Sequence, residues 1–123
     1  MREIEFRALY NGAWYYQTLD EILTITLAAF RLGEHKTQFT GLHDKHGKKI
    51  FEGDVISDEF LDPYEGLIVS KETVYFDETL GSWMLDQSDK QDRSYCTTLA
   101  ENLLDYEYTV IGNIYEHPQL LQK

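Results

Sequence analysis

The chain has 123 residues, 42% of them hydrophobic and 14% aromatic, which suits one folded domain and is too apolar for a disordered protein. The formal net charge of -11 is uneven: residues 1–49 carry seven Lys or Arg against six Asp or Glu (+1), and residues 50–123 carry four against sixteen (-12). Because nucleic-acid phosphates repel such a surface, nonspecific nucleic-acid binding is disfavoured. No internal repeat or long linker divides the chain, so we expect a single domain over residues 1–123.

The cysteine content and the N-terminal segment bear on the compartment. A single cysteine, Cys96, excludes an intrachain disulfide and is typical of a reducing compartment. The first ten residues, MREIEFRALY, lack the apolar core of a signal peptide, and no segment approaches the roughly 18 apolar residues of a membrane span. We therefore expect a cytoplasmic protein without membrane contact.

A β-hairpin is predicted at the start of the chain. Apolar and polar residues alternate over Glu3–Leu9, which is the pattern of a strand with one buried face. Asn11-Gly12 tolerates positive φ at both central positions of a two-residue turn. A second strand is therefore expected over Ala13–Gln17.

One longer helix is predicted over residues 18–33. Thr18 and Glu21 have the spacing of a capping box, and Gly33 is a suitable stop. The β-branched run Thr24–Thr26 would also suit a strand, but the caps and the length favour a helix. We expect its apolar stripe to pack into the core, with contact to another subunit as the less common alternative.

The central segment Thr40–Ile56, TGLHDKHGKKIFEGDVI, is expected to contain a second hairpin. Asp44 and Gly47 occupy the outer positions of a four-residue turn, where an Asp side chain can accept backbone N–H groups and Gly accepts positive φ. In the strand that follows, Ile50 and Phe51 should face opposite sides of a sheet.

The step Gly53-Asp54 interrupts this strand, as glycine does at a bend, a bulge or a barrel corner. Charged side chains near turns are ordinarily solvated. Glu52 and Asp54 are accordingly expected to be solvated turn acids.

The segment Ser57–Gly66 resembles an exposed acidic loop around Pro63. Acidic side chains with two aromatic ones could contact another protein. The candidate partner-binding residues are Asp58, Glu59, Phe60, Asp62 and Tyr64.

Further short elements complete the prediction. Strands are expected over Gly66–Ser70, Thr73–Phe76 and Ser82–Leu85, a mobile loop over residues 86–94, a short helix over 98–104 begun by Thr98, extended chain over 106–115, and a helical turn over 118–122. The predicted fold class is α+β, mainly antiparallel β, as a small partly open barrel of SH3-like style.

No catalytic, metal-binding or cofactor-binding motif stands out. His43 and His46, with His35 and Asp44 nearby, lack the tight ligand pair typical of zinc sites. Cys96 has no flanking nucleophile signature, and the glycines form no phosphate-binding loop. We expect no cofactor, no metal and no catalytic residue, so the chain is not expected to be an enzyme.

Three segments resemble one known family. REIEFRA (residues 2–8), QFTGLHDKHGKKIFEGDVI (38–56) and TVIGNIYEHPQLL (109–121) are similar to the YopX family of bacteriophage and prophage proteins. The resemblance implies a phage or prophage protein of the bacterial host cytoplasm, with a compact α+β domain that assembles into homo-oligomers. It supplies no catalytic residue. The shared residues have the character of a folding signature: Gly41, Asp44, Gly47, Gly53, Asp54, Gly112, Asn113 and Pro118.

Two functions remain open, with an enzyme as a third that would require a deep pocket of converging titratable groups. The favoured one is a noncatalytic, self-associating interaction module that presents its acidic second half to a host or phage protein. The alternative is a nucleic-acid-binding β-barrel of phage replication or regulation. It would use exposed strand aromatics and a basic patch from Arg2, Arg7, Lys45, Lys48 and Lys49.

Overall fold

Eight strands form two four-stranded antiparallel sheets in the computed structural model, which describes residues 3–86 and 97–121. The first sheet has the order β2-β1-β3-β4, with β1 (Glu5–Tyr10), β2 (Ala13–Thr18), β3 (Glu34–His43) and β4 (Lys49–Phe51). The second has the order β7-β6-β5-β8, with β5 (Asp54–Asp62), β6 (Gly66–Asp77), β7 (Ser82–Asp86) and β8 (Thr109–Asn113). Three α-helices in the described residues are α1 (Leu19–Thr24), α2 (Ala28–Leu32) and α3 (Leu99–Asp105), and a 3₁₀ turn spans Pro118–Leu121.

The mainly antiparallel β architecture is confirmed, whereas the partly open SH3-like barrel is wrong. The chain leaves the first sheet at Phe51, passes through Gly53 at a φ of 87°, and enters β5 of the second sheet. β5 pairs with β6 and β8, while β4 pairs with β3, so the strands divide into two sheets that do not close. The predicted glycine corner exists, but it transfers the chain from one sheet to the other.

The first hairpin and its Asn11-Gly12 turn are confirmed. Tyr10 pairs with Ala13, so the loop between the strands has two residues. Asn11 and Gly12 have φ values of 50° and 79°, as a type I′ turn requires.

The single helix predicted over residues 18–33 is wrong, because the chain forms two short helices. Thr18 makes the predicted capping box with Glu21, but α1 ends at Thr24 and Ile25 is extended. The Gln17 side chain donates to the carbonyl oxygen of Ile25 at 3.1 Å and accepts from the N–H of Leu27 at 3.4 Å. These bonds replace helical ones in a β-branched segment that favours extended backbone.

The apolar stripe of this segment is mostly exposed, so the expectation that it packs into the core is also wrong. Only Phe30 of α1 and α2 is buried. The break between the helices divides the stripe over two short elements, and its exposed members are Leu19, Leu23, Ile25, Leu27 and Leu32.

Ile50 and Phe51 face opposite sides of the sheet, as predicted. Ile50 belongs to the main core, and Phe51 packs against Phe39 and Tyr16 with ring centres 5.6 Å apart in both pairs. The buried members of the main core are Ile50, Ile56, Val74, Leu85, Leu99 and Tyr108.

The acidic loop predicted over Ser57–Gly66 is wrong, because this segment belongs to a long hairpin. β5 runs to Asp62, and the two strands predicted beyond Gly66 are one strand, β6. Cross-strand apolar pairs such as Phe60 with Ile68 extend the ladder. Asp62 Oδ1 accepts the N–H groups of two turn residues, at 2.8 and 3.0 Å, which allows the short reversal.

The C-terminal elements agree closely with the prediction. Thr98 begins α3 and accepts the N–H of Glu101 at 3.2 Å, and the final turn starts at Pro118 as 3₁₀ helix. Leu99 is buried, but Leu104 is exposed. The loop predicted over residues 86–94 lies, except for Asp86, outside the described residues, as do Arg2 and Cys96.

Candidate functional site

A buried ion pair joins the two sheets. Arg7 of β1 donates from Nη2 to Asp54 Oδ1 of β5 at 2.7 Å, and the two side chains are 7% and 2% exposed. Arg7 Nε also donates to Thr37 at 3.3 Å, and Asp54 Oδ2 accepts the N–H of Phe51 at 2.8 Å. The expectation that Asp54 is a solvated turn acid is therefore wrong, because Asp54 is buried and paired with Arg7. The two residues are 47 positions apart in the sequence, so no local pattern indicates the pair.

Aromatic rings enclose this ion pair. The Arg7 guanidinium carbon lies 4.2 Å from the ring centre of Trp14 and 4.7 Å from that of Phe51. Burial raises the pKa of Asp54, and the charge of Arg7 offsets only part of that effect. Since both charges are desolvated, removal of either one leaves the other uncompensated.

A second polar cluster fixes the end of β8 against β2. Asn113 Oδ1 accepts the N–H groups of Tyr115 and Glu116 at 3.1 and 2.9 Å, and its Nδ2 donates to Glu116 Oε1 at 3.1 Å. Trp14 Nε1 donates to the same carboxylate oxygen at 2.6 Å. The bonds from Asn113 and Trp14 lower the pKa of Glu116. Asn113 therefore organises the turn that follows β8.

Two signature glycines lie where a side chain has no room. A Cβ on Gly53 would come within 2.5 Å of the Tyr115 ring, and the φ of 87° also disfavours other residues. A Cβ on Gly112 would come within 2.6 Å of Leu120, which the 3₁₀ turn beginning at Pro118 carries. A side chain at either position would therefore displace a neighbouring residue.

Asp44 does more than shape its turn. Its buried carboxylate accepts the N–H groups of His46 and Lys48, both at 2.9 Å, and that of Val110 in β8 at 3.0 Å. Burial raises the pKa of Asp44, but the three N–H groups outweigh that effect, so the pKa is lowered. Asp44 and Gly47 form the predicted turn, and the bond to Val110 anchors it to the second sheet.

The histidines are dispersed. His35 stacks on Tyr115 with ring centres 4.3 Å apart, and His43 packs against Phe39. Within residues 3–86 and 97–121, no three His, Cys, Asp or Glu side chains are placed to hold a metal ion. Of the helices described, none has the length and apolar character to cross a membrane.

Among the members of the proposed basic patch that the structure describes, two are paired with carboxylates. Arg7 is buried in the ion pair with Asp54. Lys49 Nζ contacts the carboxylates of Glu3 and Glu5 at 2.9 and 2.6 Å, and Lys45 and Lys48 are exposed at the turn between β3 and β4.

The outer part of the β5-β6 hairpin, residues 59–69, projects beyond its neighbouring strands; we refer to it as the arm. β8 pairs with β5 only as far as Ser57, and β7 pairs with β6 only from Thr73 onward. Among the described strands, those of the arm therefore pair only with each other. Its exposed large apolar side chains are Phe60, Leu61, Tyr64, Leu67 and Val69, with Leu61 77% and Tyr64 96% exposed.

The arm includes most of the predicted partner-binding residues. Glu59, Phe60 and Tyr64 are exposed and Asp62 is partly so, but Asp58 is buried at the base of the arm and is excluded from this surface. The sequence prediction misses Leu61 because it assigns Ser57–Gly66 to a loop; it places Leu67 and Val69 on a strand over Gly66–Ser70 but does not identify them as exposed.

An open pocket of about 210 Å³ lies beside the base of the arm. Its lining residues are Lys45, Ser57, Glu59, Glu107, Thr109 and Ile111. This volume is below the range of about 300 to 1,000 Å³ typical of small-molecule sites.

The fold defines a class: a two-sheet antiparallel β protein. A buried ion pair, Arg7 with Asp54, joins its sheets, and Gly53 packs closely against the Tyr115 ring. The chain belongs to the YopX protein family, whose model matches residues 5–122. The structure is similar to the crystal structure of protein EF1440 from Enterococcus faecalis, with a TM-score of 0.55 and 22% identity over 97% of this chain and 98% of that chain. At this identity the similarity concerns the fold alone. No curated protein matches the sequence.

Proposed function

We propose that this protein is a noncatalytic interaction module that self-associates and uses the arm as its binding element. The observation that supports this function is the exposure of five large apolar side chains within eleven residues of one projecting hairpin. Leu61, Leu67 and Val69 lie on one face of the hairpin, and exposed apolar side chains that cluster on a surface often mark an interaction site. The family resemblance supports a setting in the bacterial cytoplasm, as a phage or prophage protein.

The charge of the arm supports a protein partner. Glu59, Asp62 and Glu65 lie among the apolar side chains, and residues 50–123 have a formal charge of -12. An apolar surface with acidic neighbours fits a protein surface that combines apolar side chains with Lys or Arg. The same charge repels nucleic acid.

The experiment is affinity capture with three forms of the full chain: wild type, the double variant Leu61→Asp/Leu67→Asp, and the control Leu104→Asp. Leu104 is a matched control because it is an exposed leucine on α3, outside the arm. We expect wild type and Leu104→Asp to retain the same bound protein and the arm variant to lose it. Equal retention by all three forms would refute the proposed function.

A further inference from the structure

We infer that two copies of this chain pair through the outer edges of their β2 strands, antiparallel to each other, so that their first sheets form one continuous sheet. The twofold axis of this dimer passes beside Tyr15. The inference rests on the self-association within the proposed function and specifies its partner and its surface. The arm takes no part in this contact.

The outer edge of β2 carries unpaired backbone groups. Among the described strands β2 pairs only with β1, and the two-residue turn between them fixes which cross-strand pairs are hydrogen-bonded. The N–H of Leu19 donates to the carbonyl oxygen of Ile4 at 3.1 Å, which agrees with this alternation. The N–H and C=O groups of Trp14 and Tyr16 therefore point away from β1, and nothing in the described part of the chain bonds to them.

The other outer edges of the two sheets are each bonded to a neighbouring segment. On β8, the turn before β4 supplies the N–H of Lys45 and the carboxylate of Asp44. On β7, the N–H of Leu85 donates to the segment before α3 at 3.1 Å, and on β4 the N–H of Phe51 donates to the carboxylate of the buried ion pair at 2.8 Å. Residues 14–16 of β2 have no such cover within the described ranges.

β2 also has the sequence of an unprotected edge strand. Ala13–Thr18 contains no charged residue and no proline, and its pairing with β1 has no register shift. Soluble proteins usually protect an edge with a charge, a proline or a bulge, because an open edge accepts another strand. Tyr15 and Tyr16 point to opposite faces and are 37% and 49% exposed, so a second strand can approach this edge.

A second copy is the partner that this edge fits. In an antiparallel pair centred on Tyr15, Trp14 of one copy lies opposite Tyr16 of the other, and each free N–H faces a free C=O. The twofold axis repeats this pair with the roles exchanged, so all of these free groups are bonded. The net charge of -11 opposes contact between most surfaces of two copies, but β2 brings no charged side chain opposite another.

The carboxylates beside β2 do not oppose this pairing. Glu116 accepts from Trp14 Nε1 at 2.6 Å, and Glu21 accepts the backbone N–H of Thr18 at 3.1 Å, so both are bonded within their own subunit. Asp20 lies with Glu21 in the first turn of α1, beyond the end of β2. Because the paired strands are antiparallel, the α1 acids of the two subunits lie at opposite ends of the contact.

The test changes the charge at the twofold axis in the full chain. Tyr15 of one copy faces Tyr15 of the other, so Tyr15→Glu and Tyr15→Lys each place like charges opposite each other. The control is Tyr106→Glu, which changes an exposed tyrosine outside β2. Far-UV circular dichroism checks folding, and sedimentation velocity measures assembly. We expect wild type and control to be dimers, and each Tyr15 variant alone to have a dimer Kd raised about tenfold or more.

The decisive measurement is the equimolar mixture of Tyr15→Glu and Tyr15→Lys, with one of them tagged. Opposite charges then meet across the axis, so the mixture should form 1:1 heterodimers. A mixture as monomeric as its components, a monomeric wild type, or a Tyr15→Glu variant that dimerises like wild type would overturn the inference.

Amide hydrogen exchange of the wild type gives a readout that needs no variant. The N–H groups of Trp14 and Tyr16 should exchange more slowly in the dimer than in dilute, monomeric protein, because the second copy bonds them. Equal exchange in both states would show that the contact lies elsewhere and would overturn the inference.

The inference and the proposed function fail separately. The arm variant Leu61→Asp/Leu67→Asp should dimerise like wild type, because β2 and the arm belong to different sheets. A monomeric wild type that still captures another protein through the arm would overturn the β2 contact and leave the arm as the binding element. A β2-paired dimer whose arm variant captures that protein as well as wild type does would have the opposite meaning.

Discussion

Asp44 Oδ2 accepts the backbone N–H of Val110 at 3.0 Å, so the turn between β3 and β4 is bonded directly to β8 of the other sheet. Lys45 strengthens this link, because its N–H donates to the carbonyl oxygen of Tyr108 at 3.0 Å. A residue that the sequence assigns to a local turn thus also joins the first sheet to the second.

The first prediction concerns Asp44→Asn. Both carboxylate oxygens of Asp44 accept backbone N–H groups, whereas an asparagine amide has only one acceptor oxygen. We therefore expect Asp44→Asn to lower the free energy of unfolding at pH 7 by about 2 kcal/mol. The folded-state pKa of Asp44 lies below its usual 3.8. Its stabilisation is therefore present above the unfolded-state pKa and is lost as the pH falls through the lower folded-state pKa.

Urea denaturation of wild type and Asp44→Asn from pH 2.5 to 7 checks this prediction. The difference between the two proteins should be constant above about pH 5 and shrink below the unfolded-state pKa. The exposed Asp105, replaced in the same way, serves as the control. A difference that stays constant at low pH would contradict the role of the ionised carboxylate.

The second prediction compares Gly53→Ala with Gly47→Ala. Both glycines have positive φ, 87° and 82°, but only Gly53 is crowded, by Tyr115. The left-handed backbone alone should cost about 1 kcal/mol at Gly47. At Gly53 the steric contact adds to it, for a total of about 3 kcal/mol. Thermal unfolding of both variants tests whether Gly53→Ala loses more stability than Gly47→Ala. Equal losses would show that the contact with Tyr115 does not contribute to the effect.

The third prediction concerns Arg7→Met, which leaves Asp54 buried without its counter-charge. We expect a loss of about 3 to 5 kcal/mol in the free energy of unfolding at pH 7. Because the pKa of Asp54 is already raised by burial, the carboxyl group of the variant should take up a proton as the pH falls. The loss should therefore be smaller at pH 4 than at pH 7, because protonation of Asp54 in the folded variant removes the uncompensated charge.

Chemical denaturation at the two pH values measures this difference. Arg31→Met provides a control, because Arg31 is exposed on α2. A loss that is the same at pH 4 and pH 7 would mean that the Asp54 charge does not account for it.

The fourth prediction concerns ionisation of Tyr108. Burial and the neighbouring Glu72 raise the pKa of Tyr108, whose hydroxyl donates to Glu72 Oε2 at 3.2 Å. Because the unfolded chain ionises this group first, stability should fall as the pH rises above about 10. Tyr108 in the folded protein should stay protonated while exposed tyrosines ionise, so it should add nothing to the tyrosinate absorbance. Wild type and Tyr108→Phe should therefore show the same absorbance in this band until unfolding begins. A smaller folded-state signal in the variant would contradict the raised pKa.

The sequence by itself determined the local features of this protein. The Asn11-Gly12 turn, the turn closed by Asp44 and Gly47, and the cap at Thr18 were predicted correctly, because each depends on backbone conformation and bonds within four residues. The alternation of Ile50 and Phe51 was equally predictable, since adjacent strand residues point to opposite faces.

Only the tertiary structure decided what these elements pack against. Asp54 is buried because Arg7, 47 residues away, neutralises it, and no spacing in the sequence reveals that pairing. The same holds for the arm: its ladder depends on cross-strand pairs such as Phe60 with Ile68, which compensate for acids that locally favour a loop. Local patterns specify turns and faces, whereas burial and sheet membership follow from contacts between distant segments, which is why the barrel and the continuous helix were predicted wrongly.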